Sequence, residues 1–429
     1  MNRALACFAL AFALPWLPAE AAAQVQPLPD SAARADDIVA VLRGQRPATE
    51  VFSPAFLMAV PAAQLAALIE GIEREHGKLA GIAELKQLAP FTAQFQLRFE
   101  RASAATIIQL EPGAPGRVIG LRITSVTPLG DHPAKVLADF QALGAGTGFG
   151  LYRLDGAAVR PILTHRPSAQ LAIGSTFKLW VLEAVAAEVA AKRLRWDQVV
   201  RLGLRSVPSG ITQDWPARAA VTVETLATLM ISRSDNTATD GLIRLVGRDR
   251  IAARVRALGH GDPARMLPLL TTLEAFTLKA DPNGIGREYA AASEAEQAAV
   301  LARIGPKLDP AKIHGALPTD DRPAAIETIE WFASAQDIAG VLNALRQRSD
   351  PTVLAILGVS PALPPDQRAR FARIGYKGGS EPGVINLSYV LQDTAGQWFV
   401  VTGSWNDPAA PIEERRFEQL MLRLVSLIP

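Results

Sequence analysis

Ser175 and Lys178 lie three positions apart, directly before a segment rich in Leu, Ala and Glu. That composition favours a helix, in which residues three apart share one face. A serine at the start of a helix lies beside free backbone N–H groups, which favour a developing oxyanion. A lysine can remove the serine proton only if burial or a nearby cation lowers the pKa of the lysine. Taken alone, the pair is better explained as a helix-capping serine and a surface lysine.

A second polar segment, Ser234-Asp235-Asn236, follows an apolar stretch with helical character. Three short polar side chains in a row favour turns and helix caps, because they compete for backbone hydrogen bonds. One interpretation is a capping turn before a helix that begins near Thr237. The other is a polar loop in the same cleft as Ser175, in which the Ser234 hydroxyl relays a proton and the Asn236 amide binds substrate.

A third segment, Lys377-Gly378-Gly379, ends a run with strand character. Glycine weakens the interior of a strand and often marks the close approach of a ligand or of another backbone. In the same cleft, Lys377 would provide a positive charge for a substrate carboxylate and would lower the pKa of Lys178. The alternative is a hairpin turn with a solvated lysine.

In this order, the patterns S-x-x-K, S-D-N and K-[TG]-G resemble the motifs of the serine β-lactamase and penicillin-binding protein superfamily. The resemblance covers roughly residues 148–429. Residues 222–247 are similar to the helix-loop-helix of class A β-lactamases, and residues 329–345 are similar to a later helical segment of that family. The resemblance therefore extends beyond three short motifs.

The resemblance implies an acyl-transfer mechanism that needs no metal or cofactor. It makes Ser175 the acylated nucleophile and Lys178 the base that activates it. Ser234 would relay a proton to the leaving nitrogen or oxygen, and Lys377 would hold the substrate carboxylate.

The resemblance also implies a set of substrate-binding groups. Asn236 would orient the substrate amide, and the backbone N–H groups of Ser175 and Ser380 would form the oxyanion hole. Gly379 would lie in the same substrate-binding strand. Gly378 stands where the family more often has Thr or Ser, which removes one hydroxyl from the substrate groove.

One departure from the class A pattern concerns release of the acyl group. Class A enzymes carry a glutamate that activates the deacylating water, with an asparagine four residues later. The best candidate in this chain is Glu274, but residue 278 is Leu. Glu274 could equally be an ordinary carboxylate at the start of a helix, so fast deacylation of β-lactams is in doubt.

The elements that must position these residues indicate an α+β fold. Runs with strand character occupy residues 149–166, a largely helical segment follows to about residue 347, and three strand-like runs and a closing helix end the chain. This order predicts one antiparallel sheet built from both ends of a β-lactamase-like domain, flanked by helices, with an all-helical subdomain beside it. The predicted domain spans residues 146–429.

A smaller α+β domain is predicted for residues 24–145. Amphipathic helical segments precede three strand-like runs, and Phe95, Leu97 and Phe99 alternate with polar residues, as expected for a sheet with one buried face. This region resembles the cystatin-like domain that precedes the β-lactamase-like domain in the esterase of the clavulanic-acid gene cluster. A Gly-rich hinge near residue 145 marks the predicted boundary.

Residues 1–23 have the pattern of a signal peptide: Arg3, an apolar run, and small residues at 21–23. The apolar run is short for a membrane span, so we expect an exported protein, periplasmic or secreted after cleavage. The only cysteine, Cys7, would leave with the signal. The histidine spacing does not indicate a zinc site.

The formal net charge of +2 is spread among interspersed acidic and basic residues, which gives no electrostatic reason to expect a nucleic-acid partner. The expected function is an exported serine hydrolase that acts on a β-lactam or a related peptide or ester. A D-alanyl carboxypeptidase, an esterase, and a protein that binds β-lactams without turnover are the alternatives.

Overall fold

The computed structural model divides the chain into two compact units, residues 1–129 and 130–429. It describes residues 30–112, 116–313, 321–348 and 350–429. The predicted signal peptide, with Cys7, lies outside the described residues. None of the helices within these ranges is long and apolar enough to cross a membrane.

Within its described residues, the first unit combines four helices with one antiparallel sheet. The helices are α1 (Asp30–Leu42), α2 (Ala48–Val51), α3 (Pro54–Ala59) and α4 (Ala62–His76). The sheet has the order β1 (Leu79–Ala89), β2 (Thr92–Phe99), β3 (Ala102–Leu110) and β4 (Val118–Pro128). The sequence predicted only the last three of these strands. Its similarity to a cystatin-like domain stays a prediction.

The second unit contains the three motifs. Its first elements are α5 (Pro133–Gln141), β5 (Thr147–Asp155), β6 (Ala158–His165), β7 (Leu171–Ala172), α6 (Lys178–Ala190), β8 (Val199–Arg201), β9 (Ala220–Thr222), α7 (Val223–Ser232), α8 (Asn236–Val246) and α9 (Arg248–Ala257). The later elements are α10 (Thr272–Ala280), α11 (Ile285–Ala291), α12 (Glu294–Ile304), α13 (Pro310–Ile313), β10 (Phe332–Ala333), α14 (Ala335–Gln347), α15 (Pro351–Gly358), α16 (Pro365–Arg368), β11 (Phe371–Glu381), β12 (Val384–Asp393), β13 (Trp398–Asn406) and α17 (Glu414–Ser426).

The division after Leu129 differs from the predicted boundary near residue 145. Helix α5 accounts for the difference, because its apolar face belongs to the core of the second unit: Val136 and Phe140 pack with Phe417 of α17. Arg423 of α17 also pairs with acidic residues at and before α5. The glycine-containing turn after α5 is therefore inside the second unit.

A five-stranded antiparallel sheet forms the centre of the second unit, in the order β11-β12-β13-β5-β6. Strands from both ends of the unit meet in it, as the sequence predicted. One face is covered by α5 and α17, and the helical middle of the chain packs on the other. Ten of the thirteen residues of α6 are buried. A helix that is apolar nearly all round must lie in a core, and this position fixes the residues at its start.

Candidate active site

Ser175 lies in a short 3₁₀ turn, Gly174–Phe177, that leads directly into α6. The edge strand β11 passes close beside this turn. A Cβ atom added to Gly379 would overlap the Ile173 carbonyl oxygen and would lie 2.5 Å from the Ser175 nitrogen. One added to Gly174 would lie 3.3 Å from the Ser380 nitrogen. The two backbone nitrogens predicted for an oxyanion hole, those of Ser175 and Ser380, therefore lie where the 3₁₀ turn and β11 approach each other.

Lys178 is fully buried at the first position of α6. Its Nζ lies within hydrogen-bonding distance of three oxygens: the Ser234 carbonyl oxygen at 2.7 Å, Ser234 Oγ at 3.2 Å and Asn236 Oδ1 at 2.8 Å. Burial lowers the pKa of Lys178 well below its ordinary value, and the neighbouring Lys377 lowers that pKa further. Asp240 and Asp235 act in the opposite direction. The environment thus favours a neutral amine, the form that can accept a proton.

Ser234 occupies the turn between α7 and α8 with a φ of +52°, in the left-handed region. A non-glycine residue with this backbone conformation is strained, and such residues often lie in functional sites. The Ser234 hydroxyl lies between two lysines, 3.2 Å from Lys178 Nζ and 3.1 Å from Lys377 Nζ. This hydroxyl can therefore pass a proton between α6 and β11.

Lys377 is also buried, on the face of β11 that Ser234 contacts. Burial lowers its pKa to about 7. Its Nζ donates to Ser234 Oγ and to the Gly378 carbonyl oxygen. Lys178 and Lys377 both contact this hydroxyl. A positive charge on one lysine disfavours protonation of the other, so the arrangement disfavours the state in which both are charged.

The sequence did not reveal how Asp235 holds a distant loop against the motif. Its carboxylate accepts from the N–H groups of Ile211 and Thr212, both at 2.8 Å, and from Thr212 Oγ1 at 2.6 Å. The Asn236 N–H donates to the Ser209 carbonyl at 2.9 Å. The run of polar residues signalled a cap, and Asp235 does cap α8, but its loop partners come from much earlier in the chain.

The sequence also did not reveal a buried polar network that begins at Thr176, the residue after Ser175. Thr176 Oγ1 donates to Asn386 Oδ1 at 2.8 Å, and the Asn386 amide donates to Ser404 Oγ at 2.8 Å. Ser388 adds a hydrogen bond to Asn386 Oδ1 at 2.7 Å. The network ties the Ser175 turn to β12 and β13. The only sequence signal is the presence of Asn and Ser within an otherwise apolar strand.

Glu274 serves as a helix cap, the alternative that the sequence left open. It is the third residue of α10, where its side chain accepts from the Thr271 N–H at 2.8 Å in a capping box. Both carboxylate oxygens also accept from Arg248, at 2.7 and 2.8 Å. Because its oxygens are engaged in this way, Glu274 is a poor candidate for the deacylating base.

The close contact between Gly379 and the backbone of the Ser175 turn leads to a testable prediction. Gly379→Ala is expected to lower the acylation rate by about 100-fold, because the new Cβ would displace the backbone of Ile173 and Ser175. Gly340→Ala in α14 is the matched control, since nothing lies within 4 Å of its Cβ position. Stopped-flow acylation of both variants checks the prediction, which wild-type kinetics in Gly379→Ala would contradict.

Among the described residues, no group of three His, Cys, Asp or Glu side chains could hold a metal ion. The site instead consists of a serine, two buried lysines and a second serine, all on the second unit.

A known protein family matches most of the second unit. The model described as the beta-lactamase enzyme family matches residues 134–386, which is more than half of the chain. The chain belongs to the beta-lactamase enzyme family. The matched range contains all three motifs of this family member. Membership of the serine β-lactamase and penicillin-binding protein superfamily, which those motifs predicted, is therefore confirmed.

Solved structures in the beta-lactamase family are similar to this chain at low sequence identity. The beta-lactamase from Sphaerobacter thermophilus is 22% identical, with 70% of this chain and 100% of that chain covered and a TM-score of 0.46. The beta-lactamase from Chitinophaga pinensis is 16% identical, with coverages of 68% and 96% and a TM-score of 0.47. A mutant of PBP-A, solved as an acyl-enzyme complex with penicillin G, is 16% identical, with coverages of 68% and 96% and a TM-score of 0.45. No curated protein matches the chain.

Proposed function

We propose that this protein is an exported serine hydrolase that forms an acyl-enzyme at Ser175 with a β-lactam or a related cyclic amide or ester. The observation that carries the proposal is the pair of hydrogen bonds from Lys178 and Lys377 to the Ser234 hydroxyl. A buried lysine with a lowered pKa supplies the base that a serine nucleophile requires.

The acylation step follows from these groups. Neutral Lys178 takes the proton of Ser175, and Ser175 Oγ attacks the carbonyl carbon. The backbone N–H groups of Ser175 and Ser380 stabilise the oxyanion. When the carbon–nitrogen bond breaks, the leaving nitrogen takes the Ser234 hydroxyl proton, and Ser234 is reprotonated by Lys178. An ester substrate would follow the same route with oxygen as the leaving atom.

The substrate is proposed to carry a carboxylate. Lys377 provides a positive charge beside Ser234 whenever its amine is protonated, and Asn236 presents an amide next to Lys178. A carboxylate on the leaving side of the carbonyl would pair with Lys377 while its nitrogen faces Ser234. Penicillins and cephalosporins have this arrangement, and so do the peptides that D-alanyl carboxypeptidases cleave.

A second candidate function is a β-lactam-binding protein that is acylated without turnover. The engagement of Glu274 with Arg248 favours it, because the carboxylate that the sequence offered for deacylation is occupied.

Incubation of the mature protein with a penicillin, a chromogenic cephalosporin and a simple ester tests both candidates. We expect a mass adduct of one acyl group and measurable turnover. A stable adduct without turnover would support the binding protein, and neither adduct nor turnover with any donor would contradict both functions. Export is tested separately, by N-terminal sequencing of the protein from the periplasm or medium, where an intact N-terminus would contradict cleavage.

A further inference from the structure

The segment that carries Ser175 is held by an asparagine side chain on each side of the serine. Ala172, three residues before Ser175, binds Asn406 of β13. Thr176, the residue directly after Ser175, binds Asn386 of β12. Both asparagines come from the central sheet, 234 and 210 residues later in the chain than their partners. The turn around Ser175 is therefore fixed to the sheet at two points.

Asn406 takes the place of a neighbouring strand. Its Oδ1 accepts from the Ala172 N–H at 2.7 Å, and its Nδ2 donates to the Ala172 carbonyl oxygen at 2.9 Å. In an antiparallel sheet, one residue of the adjacent strand supplies both of these hydrogen bonds. Ala172 belongs to β7, which pairs with β10 over only two residues. A side-chain amide offers a donor and an acceptor together, so Asn406 fixes both the place and the orientation of Ala172.

Asn386 reaches the turn from the other side. It lies directly opposite Gly379 in the pairing of β11 with β12, and residues paired in this way project on one face of the sheet. On that face, the backbone of Gly379 packs against the backbone nitrogens of Ser175 and Thr176. Thr176 Oγ1 donates to Asn386 Oδ1 at 2.8 Å. The glycine contact and this hydrogen bond are thus neighbouring contacts between the sheet and the turn.

The Asn386 amide is itself held in one orientation. Its Oδ1 also accepts from Ser388 Oγ at 2.7 Å, and its Nδ2 donates to Ser404 Oγ at 2.8 Å. Asn386, Ser388 and Thr176 are completely buried, where an unpaired polar group would be costly. Ser404 lies two residues before Asn406, on the same face of β13. Both asparagines are therefore anchored to one strand.

We propose that Asn386 and Asn406 are positioning residues for acylation, which hold Ser175 in its reactive geometry through Thr176 and Ala172. This inference rests on the proposed function. Ser175 contributes two groups to that reaction, the attacking hydroxyl and one N–H of the oxyanion hole. A small shift of the turn would misplace both groups at once, and a misplacement of about 1 Å can cost about 100-fold in rate.

Thr176→Val tests the Asn386 side at nearly constant side-chain shape. Asn386 itself stays in place, because its removal would leave Ser388 and Ser404 without this partner in the core. We expect acylation by penicillin G to be about 10- to 100-fold slower, while the final adduct still reaches one acyl group per protein. A variant that is merely destabilised would instead give less adduct at the wild-type rate. Thr176→Ser keeps the hydroxyl and is expected to acylate at close to the wild-type rate.

Thr147→Val is the matched control. Thr147 is also a completely buried threonine of the second unit, and its hydroxyl donates to the carbonyl oxygens of Phe140 and Gly144. We expect wild-type acylation in this variant. A wild-type rate in Thr176→Val, or an equally slow rate in Thr147→Val, would overturn the role of Asn386.

Asn406→Ala tests the other side and is expected to slow acylation by about 10-fold or more, because both hydrogen bonds to Ala172 are lost. Asn343→Ala is its control. The Asn343 amide likewise donates to two backbone carbonyl oxygens, those of Gly156 and Ala157 between β5 and β6. Unchanged acylation in Asn406→Ala, or the same loss in Asn343→Ala, would overturn the role of Asn406.

The pH profile separates positioning of the serine from an effect on its base. Lys178 Nζ is bound by Ser234 and Asn236, which lie outside the sheet. We therefore expect acylation of Thr176→Val to rise with pH at the same midpoint as in the wild-type protein, but to a lower plateau. A moved midpoint would show that the substitution acts through Lys178 and would contradict the positioning role.

Amide hydrogen exchange tests the hold on the turn without any substrate. In the peptide that spans residues 172–178, we expect exchange about 10-fold faster in Thr176→Val and Asn406→Ala than in the two controls. Equal exchange in all variants would overturn the inference. If wild-type protein is never acylated, the proposed function fails, and exchange still reports whether the asparagines hold the turn. If it is acylated and the variants match its rate, the positioning role fails while acylation at Ser175 stands.

Discussion

Ser175→Ala is expected to remove the acyl adduct and to lower turnover by about 10⁴-fold or more. Without the hydroxyl, Lys178 has no nucleophile to activate, and loss of one member of such a unit costs nearly as much as loss of the whole unit. The fold should be unchanged, because this substitution only removes a side-chain oxygen from a half-buried position. Intact mass after incubation with a penicillin, together with turnover of a chromogenic cephalosporin, measures both effects.

Ser232→Ala is the matched control for this substitution. Ser232 lies at the end of α7, close to the S-D-N motif in sequence, and its hydroxyl donates only to the Thr228 carbonyl within the helix. We expect wild-type acylation in this variant. An adduct that survives in Ser175→Ala would place the nucleophile on another residue.

Lys377→Met is expected to change both the pH dependence and the substrate preference of acylation. The positive charge of Lys377 lowers the pKa of Lys178, so its removal raises that pKa and moves the rise of acylation to higher pH. The variant also loses the cation for the substrate carboxylate, which should lower kcat/KM for anionic substrates by about 10-fold or more. A neutral ester should show the pH shift alone.

The pH dependence of substrate binding in the wild-type protein should also report the charge of Lys377. Because the pKa of Lys377 is about 7, this lysine loses its charge as the pH rises through 7. Binding of a carboxylate-bearing β-lactam should therefore weaken above pH 7, while its methyl ester should not show this loss. Lys307→Met, which removes one exposed positive charge, is the control for Lys377→Met. An unmoved pH profile in Lys377→Met would contradict the proposed coupling of the two lysines.

The order of elements around Ser175 could be predicted because local patterns determine it. The apolar stretch after Lys178 can only be a buried helix, and the strand-like runs at both ends of the second unit pair into one sheet. The motif residues reach each other across this fold: Ser234 meets Lys178 from α6 and Lys377 from β11. Their catalytic roles stay predictions until the variants are measured.

The environment of Glu274 could not be predicted, because its partner Arg248 comes from a different helix. A glutamate near the start of a helix has the same local sequence whether it caps the helix or faces a cleft. The buried cluster of Lys279, Glu330 and Glu381 was missed for a similar reason. Lys279 and Glu330 approach Glu381 from segments 102 and 51 residues away from it in sequence, so that only the folded chain shows the group.

Gly378 shows how a neighbour can explain a departure from a family pattern. A Cβ atom at this position would overlap the hydroxyl of Tyr376, whose ring stacks at a tilt against Tyr389 with centroids 4.9 Å apart. The space that a Thr or Ser side chain would occupy therefore holds the phenol of Tyr376. The sequence shows the missing hydroxyl at residue 378 but not the one that lies in its place.

Locating the acylated residue tests directly whether Ser175 is the nucleophile. The protein is incubated with penicillin G, quenched, and digested, and the acylated peptide is located by mass spectrometry. We expect a mass increase of one penicillin on the peptide that contains Ser175, and the adduct should form faster as the pH rises towards neutrality. An unmodified Ser175 peptide, or an adduct on any other residue, would contradict it.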